Sequence, residues 1–249
     1  DDHVPAWLLV PHAPATRAVL CLHQTQRYGK DEPAGMGPRY NLHYARHLAE
    51  LGYLTLAPDY PNFGEYRLDV YARGYQSASM KGIVNHRRAL DLLSSRLPPS
   101  ANGRPQPIAC VGHSLGGHNT LFLAAFDHRV QAAVSSCGFT SFPKYFGGDL
   151  AGWSHRGYMP RIASVYNRDP RRMPFDFPDV LAAIAPRGLF INAPLHDSNF
   201  DNSGVRDCVA AVRRLFPKEC LQVVYPDCAH DFPLEARDAA WKFLDTVLQ

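Results

Sequence analysis

A short glycine-rich segment near the middle of the chain carries the residue with the clearest chemical potential. Residues 112–117 have the sequence Gly-His-Ser-Leu-Gly-Gly; the apolar run Ile108–Val111 precedes them and the apolar stretch Asn119–Phe126 follows. A serine with a glycine two residues away on each side, between a strand and a helix, is typical of a nucleophile elbow. The glycines permit the sharp turn that exposes the serine hydroxyl. We therefore predict that Ser114 is a nucleophile for acyl transfer.

The base and the acid that a serine nucleophile requires have candidates further along the chain. His230 lies in the segment 226–233, between the last apolar run and the final helical segment. Asp197 is the first acidic residue after the apolar run Gly188–Asn192. Because the carboxyl ends of parallel strands meet at one edge of a sheet, we expect both side chains beside Ser114. We predict that His230 is the base and that Asp197 fixes its tautomer.

Asp201 is the alternative acid. It follows Asp197 by four residues, and its position also suits the N-cap of the helix that comes next. We favour Asp197 because it comes first after the strand. The resulting order of serine, acid and histidine along the chain agrees with a strand–turn–helix serine site.

A tetrahedral intermediate also requires hydrogen-bond donors for its oxyanion, and losing one donor costs on the order of 3 kcal/mol. The first expected donor is the backbone N–H of Leu115. The second is expected from the loop after the apolar run Ala18–Leu22, where Gln24 and Thr25 are both candidates. The sequence leaves that choice open. The polar residues after this strand could also simply end it and have no role in catalysis.

An alternating series of strands and helices is predicted to position these residues. Short apolar runs rich in Val, Leu and Ile alternate with segments of helical period, which is typical of a mainly parallel sheet with helices on both faces. The predicted strands are Trp7–Val10, Ala18–Leu22, Tyr53–Ala57, Ile108–Val111, Val130–Ser135, Gly188–Asn192 and Leu221–Tyr225. Besides the helix after Ser114, the predicted helices are Asn41–Leu51, Ser79–Leu97, Gly204–Phe216 and Leu234–Leu248.

The connection from Gly138 to Pro186 interrupts this alternation. It has 49 residues, nine of them aromatic, and a connection of this length is usually functional or disordered. Because the aromatic content disfavours disorder, we predict a small cap-like insertion at 138–186 within a single domain at 1–249. Four of its aromatic residues are candidates for the substrate pocket, or equally for the core of the cap: Phe139, Phe142, Trp153 and Tyr158.

Composition excludes several classes of protein. Of the 249 residues, 46% are hydrophobic and 20% are charged, as in a globular domain with a sizeable core. The 26 basic and 23 acidic residues are spread along the chain and give a net charge of only +3, so nucleic-acid binding is not predicted. No apolar run approaches the roughly 18 residues that a membrane span requires.

The compartment and the oligomeric state stay open. The first residues, DDHVPAW, lack the basic and apolar regions of a signal peptide, but a chain that begins with Asp1 could have lost an export signal or an upstream segment. Three cysteines fall in central strand regions and are expected to be free thiols: Cys21, Cys110 and Cys137. Three others could form one disulfide bridge in an exported protein: Cys208, Cys220 and Cys228. No Cys or His spacing matches a zinc motif.

Across nearly its whole length, the sequence resembles the α/β-hydrolase superfamily. Within it, the resemblance is to the branch of dienelactone hydrolases, acetyl-xylan-esterase-like enzymes and the catalytic domains of prolyl-oligopeptidase-like peptidases. The matching segments are LHQT at 22–25, APDYPNFGEY at 57–66, GHSLGG at 112–117, HDSNF at 196–200 and AHDF at 229–232. The resemblance implies the α/β-hydrolase fold and a hydrolase that uses an acyl-enzyme without metal or cofactor.

Two departures from the family pattern affect the predicted activity. Ser114 stands where dienelactone hydrolases have cysteine, which favours ester substrates over dienelactones. Gln24 stands where a glycine usually follows the histidine of the oxyanion loop, which leaves the second donor open.

We expect a carboxylic-ester hydrolase that acts on a small-molecule ester. A serine peptidase or amidase with the same triad is the alternative, although peptidases of this branch normally carry a large accessory domain that this chain has no room for. A non-catalytic binding protein of the same fold is disfavoured because all three triad members have candidates in the expected order.

Overall fold

A seven-stranded sheet forms the centre of the structure, a computed structural model that describes residues 2–100 and 102–249. The strands are β1 (Ala6–Leu9), β2 (Ala18–Leu22), β3 (Leu54–Pro58), β4 (Ile108–His113), β5 (Val130–Ser136), β6 (Gly188–Asn192) and β7 (Leu221–Val224). They lie in the order β1-β3-β2-β4-β5-β6-β7; β1 is antiparallel to β3, and the other neighbouring pairs are parallel. The predicted, mainly parallel sheet is confirmed, and each strand ends within two residues of its predicted bounds.

Helices pack on both faces of this sheet. They are α1 (Tyr44–Glu50), α2 (Ala78–Arg96), α3 (Leu115–Phe126), α4 (Arg161–Ser164), α5 (Phe177–Ile184), α6 (Asn202–Val212) and α7 (Leu234–Val247). Alternate residues of β2 point to opposite faces: Leu20 packs in the core that includes α2, α3 and α5, whereas Val19 packs with α1 and α7. Every residue of β2, β3, β4 and β6 is buried, as expected for parallel strands covered on both sides.

The helix ends differ from the prediction by a few residues where short 3-10 turns adjoin them. Residues Tyr40–Leu42 form a separate 3-10 turn, so α1 begins only at Tyr44, and Arg213–Leu215 form another after α6 ends at Val212. Further 3-10 turns lie at Gly29–Asp31, Phe142–Gly148, Pro170–Arg172 and Lys218–Cys220, and Glu32–Met36 form a short π-helical turn. Within residues 2–100 and 102–249, no helix combines the length and the apolar character that a bilayer crossing requires.

Sequence analysis does not anticipate α5, although its signals are present. Asp176 and Asp179 form a capping box at its N-terminus, in which the Asp179 side chain accepts a hydrogen bond from the Asp176 N–H at 2.9 Å. The buried residues recur at helical spacing: Phe177, Val180, Leu181 and Ile184. The helix has only eight residues and lies in an aromatic-rich connection, so its periodicity is short.

The connection at 138–186 packs against the same core as the sheet. Aromatic side chains from this segment join the residues of α3 in one buried cluster: Phe139, Phe142, Tyr145, Trp153 and Phe177. The division of 1–249 into one domain with a cap-like insertion stays a prediction, and this shared core supports it.

All six cysteines are free thiols. Cys21 lies within β2 and Cys110 within β4, as predicted. Cys137 lies directly after β5 rather than inside it, and its backbone has a φ of 49°. Its position directly after β5 places it at the carboxyl edge of the sheet.

Candidate active site

Ser114 occupies the turn between β4 and α3. Its backbone has φ 54° and ψ −118°, a conformation that is rare for residues other than glycine and costs about 1–3 kcal/mol. The Ser114 N–H donates to the carbonyl of Ser136 at 2.8 Å, and the Ser114 carbonyl accepts from the His118 N–H at 2.9 Å. These two backbone hydrogen bonds hold the strained turn that the sequence predicts for a nucleophile.

The glycines around Ser114 are required by close backbone contacts. A Cβ on Gly112 would lie 2.2 Å from the backbone of Gly116, and a Cβ on Gly116 would lie 1.8 Å from the carbonyl oxygen of Leu22. Because backbone atoms cannot move aside as a side chain can, neither position accepts a larger residue. The motif therefore lets α3 start directly against β2 and β4.

His230 and Asp197 form a hydrogen-bonded pair. The Nδ1 atom of His230 lies 2.9 Å from both carboxylate oxygens of Asp197, whose side chain is only 1% exposed. Asp197 also accepts the backbone N–H groups of Asn199 at 2.8 Å and Phe200 at 3.1 Å. Because a carboxylate only accepts, Nδ1 of His230 carries the proton and Nε2 is left as the basic nitrogen.

Ser114 and His230 line one cavity of about 550 Å³. The other lining residues are Gln24, Thr25, Leu115, Tyr145, Phe146, Gly152, Trp153, Tyr158, Asn199 and Phe200. In the described part of the chain, no direct hydrogen bond joins the Ser114 hydroxyl to His230; such bonds often form only when substrate binds. A larger cavity of about 630 Å³, lined by Asn62 and residues 67–71 and 155–157, contains neither residue.

The two candidate acids have different partners. Asp197 faces His230, whereas Asp201 is the N-cap of α6 and accepts the backbone N–H of Ser203 at 2.7 Å. Asp201 therefore has the capping role, and of the two candidate acids only Asp197 contacts His230.

The predicted oxyanion donors surround the cavity. The backbone N–H groups of Leu115, Gln24 and Thr25 have no hydrogen-bond acceptor among the residues that the structure describes. The Gln24 side chain donates to the buried carboxylate of Glu32 at 2.8 Å, and the Thr25 hydroxyl lies 2.6 Å from the Tyr158 hydroxyl. Burial raises the pKa of Glu32. Both side-chain contacts hold the loop after β2 in place.

The predicted pocket residues divide into two pairs. Trp153 and Tyr158 line the cavity. Phe139 and Phe142 do not: they are 1% and 0% exposed and pack on Phe177, with ring centroids 5.1 Å and 5.4 Å apart. Of the two roles that the sequence leaves open for Phe139 and Phe142, the structure places both in the core and not at the pocket. Three aromatic residues that the sequence does not single out line it instead: Tyr145, Phe146 and Phe200.

Known proteins of similar structure establish the fold class. No family model matches the chain. YtaP of Bacillus subtilis (strain 168), which is named as a hydrolase, is 25% identical over 219 residues, covering 82% of this chain and 68% of YtaP. A glucuronoyl esterase from Solibacter usitatus matches 99% of this chain and 78% of its own, with a TM-score of 0.74 and 15% identity. The esterase Pf2001 of Pyrococcus furiosus matches 100% and 92%, with a TM-score of 0.68 and 13% identity.

The chain has the α/β-hydrolase fold. In this α/β-hydrolase fold, the loop that carries His230 is anchored through its neighbour Asp231. The Asp231 carboxylate accepts from Arg39 at 2.5 Å and from Asn41 at 2.7 Å, and its backbone carbonyl accepts from Asn192 at 2.9 Å. The sequence does not predict these contacts, because Arg39 and Asn41 lie about 190 residues away along the chain.

His113 packs directly against His230, the candidate base. The ring centroids of His113 and His230 are 4.9 Å apart, and Nδ1 of His113 lies 2.9 Å from the Ser136 hydroxyl. Burial, reinforced by the nearby His230, lowers the pKa of His113 well below its usual value. His113 is therefore neutral and adds no positive charge beneath His230.

Cys137 is a further neighbour of the His230–Asp197 pair that the sequence does not predict. Its side chain is 3% exposed, and its thiol donates to the Asp231 carbonyl at 3.3 Å. Burial, together with the adjacent Asp197 carboxylate, raises the pKa of the Cys137 thiol well above its usual value. The thiol is protonated and is not a nucleophile in this state.

Proposed function

We propose that the chain is a serine hydrolase that cleaves carboxylic esters through an acyl-enzyme, with Ser114 as nucleophile, His230 as base and Asp197 as orienting acid. The observation that carries the proposal is the His230–Asp197 pair at the wall of the cavity that Ser114 also lines. Because this contact keeps the proton of His230 on Nδ1, Nε2 is available to accept the serine proton.

The proposed reaction has two stages. Nε2 of His230 accepts the Ser114 proton as Oγ attacks the ester carbonyl, and the amide of Leu115, with that of Gln24 or Thr25, donates to the oxyanion. Collapse of the tetrahedral intermediate transfers the proton from His230 to the leaving alcohol. Water, activated by His230, then attacks the acyl-enzyme and releases the acid.

The cavity lining favours an uncharged ester of modest size. Among the described residues that line it there is no Lys, Arg, Asp or Glu, so nothing there compensates a charged substrate group. Five aromatic residues line it: Tyr145, Phe146, Trp153, Tyr158 and Phe200. The names of the Pf2001 and Solibacter usitatus esterases also favour ester hydrolysis.

A series of p-nitrophenyl esters from acetate to dodecanoate tests the activity, with the Ser114→Ala protein as the blank. We expect serine-dependent release of nitrophenol, and the chain-length optimum measures how much of the cavity of about 550 Å³ the acyl chain can use. Parallel assays with matched p-nitroanilides separate an esterase from an amidase. Absence of turnover on every ester, together with no labelling of Ser114 by a fluorophosphonate, would overturn the proposal.

A further inference from the structure

Three side chains of different chemistry lie close together beside the cavity that His230 lines. One potential ligand atom each from Cys137, Asp197 and His230 lies within 4.8 Å of the other two. They follow β5, β6 and β7, three adjacent strands whose carboxyl ends share one edge of the sheet. A thiol, a carboxylate and an imidazole are therefore brought together by the sheet, although their sequence spacing matches no metal motif.

This donor set suits zinc rather than magnesium or calcium. Zinc binds thiolate sulfur, imidazole nitrogen and carboxylate oxygen, whereas the harder cations select oxygen ligands alone. Tetrahedral zinc, with bonds of about 2.0–2.3 Å, separates its ligand atoms by about 3.3–3.7 Å. Side-chain movements on the order of 1 Å bring the three groups to that geometry.

The charges also balance at this position. A divalent cation is neutralised by the Asp197 carboxylate and the Cys137 thiolate, so that the buried cluster stays neutral overall. The nearest guanidinium contact on this loop, from Arg39, goes to the carboxylate of Asp231 and is thereby compensated. Of the three groups, His230 is the one that lines the cavity, and its side chain is 18% exposed.

We propose that Cys137, Asp197 and His230 form a binding site for a zinc-type divalent cation, and that its occupancy inhibits the hydrolase. The ion displaces the Cys137 thiol proton, which leaves to solvent, while the Nδ1 proton of His230 moves to Nε2. Nδ1 and the thiolate then bind the ion, and Nε2 carries a hydrogen in place of the free electron pair. The inhibition rests on the proposed function, because a histidine in this form cannot accept the Ser114 proton.

Binding is tested without reference to activity, in protein that carries Ser114→Ala. Cobalt(II) replaces zinc as the probe, because a cobalt–thiolate bond absorbs in the near ultraviolet. We expect this band on titration, its disappearance on addition of zinc, and no response to magnesium. Adding Cys137→Ser removes the band, whereas adding Cys228→Ser, a matched change of a half-buried thiol on the His230 loop, retains it.

Absence of the band, or a band of equal strength with Cys137→Ser, would overturn the site. The Cys137→Ser protein keeps a hydroxyl for the hydrogen bond to Asp231, and its circular dichroism and unfolding transition show whether it is folded. A Cys137→Ala protein repeats the titration if it is not.

Inhibition is measured separately, on protein with Ser114 intact. Zinc is expected to suppress ester hydrolysis reversibly, with recovery after EDTA, and Cys137→Ser is expected to weaken inhibition at least about tenfold relative to its own metal-free rate. Equal inhibition of both proteins would contradict the assignment of Cys137 as a ligand. If no ester is turned over at all, the cobalt titration still decides whether the site exists.

Discussion

Nδ1 of His230 lies 2.9 Å from each carboxylate oxygen of Asp197, inside a pocket that leaves the Asp197 side chain 1% exposed. Asp197→Asn keeps the shape of this contact but lets the amide favour the wrong histidine tautomer. We expect kcat to fall by about three to four orders of magnitude. Steady-state kinetics on p-nitrophenyl acetate provide the measurement. Asp201→Asn is the control and should leave kcat within about threefold, since Asp201 only caps α6.

The strained backbone at Ser114 leads to a prediction of how substitutions there change the stability of the protein. With φ 54° and ψ −118°, this position suits glycine better than any residue with a Cβ. Both Ser114→Ala and Ser114→Gly should abolish hydrolysis, but the glycine protein should be the more stable by about 1 kcal/mol. Urea unfolding of the two proteins measures the difference. Equal stability, or a more stable alanine protein, would mean that the turn stores no such strain.

The contact between Gly116 and β2 predicts a severe effect from a single methyl group. In Gly116→Ala the new Cβ would lie 1.8 Å from the Leu22 carbonyl oxygen, so α3 must shift. We expect a loss of about 3 kcal/mol or more in the free energy of unfolding, along with activity. Gly103→Ala is the comparison: its Cβ meets nothing within 4 Å, and only its φ of 74° opposes the change, at a cost of about 1 kcal/mol.

The burial of His118 leads to a prediction of how the stability of the protein depends on pH. It stacks on Trp153 with centroids 4.1 Å apart, and neither ring nitrogen has a partner among the described residues. Burial lowers its pKa from 6.5 to about 3. Between these values the unfolded chain binds the extra proton, so stability falls as the pH drops from 6.5 towards 3. Between pH 7 and pH 5 this one group contributes a loss of about 2 kcal/mol.

His118→Leu, which nearly conserves volume, should flatten that part of the stability profile. The measurement is the free energy of unfolding by urea at pH 7 and pH 5, and the variant should lose about 2 kcal/mol less between them. His128→Leu, at an exposed position, is the matched control and should leave the slope unchanged. An unaltered slope in His118→Leu would show that His118 is not held neutral in the folded state.

Asp231 is predicted to position His230 without contacting substrate. Asp231→Ala removes the acceptor for Arg39 and Asn41, so the loop of His230 loses its anchor. We expect kcat to fall by about tenfold to a hundredfold while KM changes little, because Asp231 does not line the cavity. Asp227→Ala on the same loop is the control: its carboxylate is 83% exposed and contacts only His196 in the described part of the chain. A rise in KM alone would contradict the positioning role.

Local patterns in the sequence were sufficient for the sheet, the elbow and the candidate triad. The elbow follows from glycines at fixed distances from Ser114, because the backbone there leaves no room for side chains. Strand order predicts where the acid and the base lie, since parallel strands deliver their carboxyl ends to one edge, but Asp201 stayed an alternative to Asp197 until the contact with His230 was seen. These inferences need only neighbouring residues and the direction of strands.

Tertiary packing decided which side chains line the cavity and which distant residues contact each other. Nothing local separates Phe142, which is buried in the core, from Phe146, which lines the cavity, because that depends on how 138–186 folds against α3. The anchoring of Asp231 by Arg39 and the approach of Cys137 to Asp197 likewise join residues far apart along the chain. Spacing along the chain carries no information about such contacts; they exist only once the strands have paired and the connections have packed.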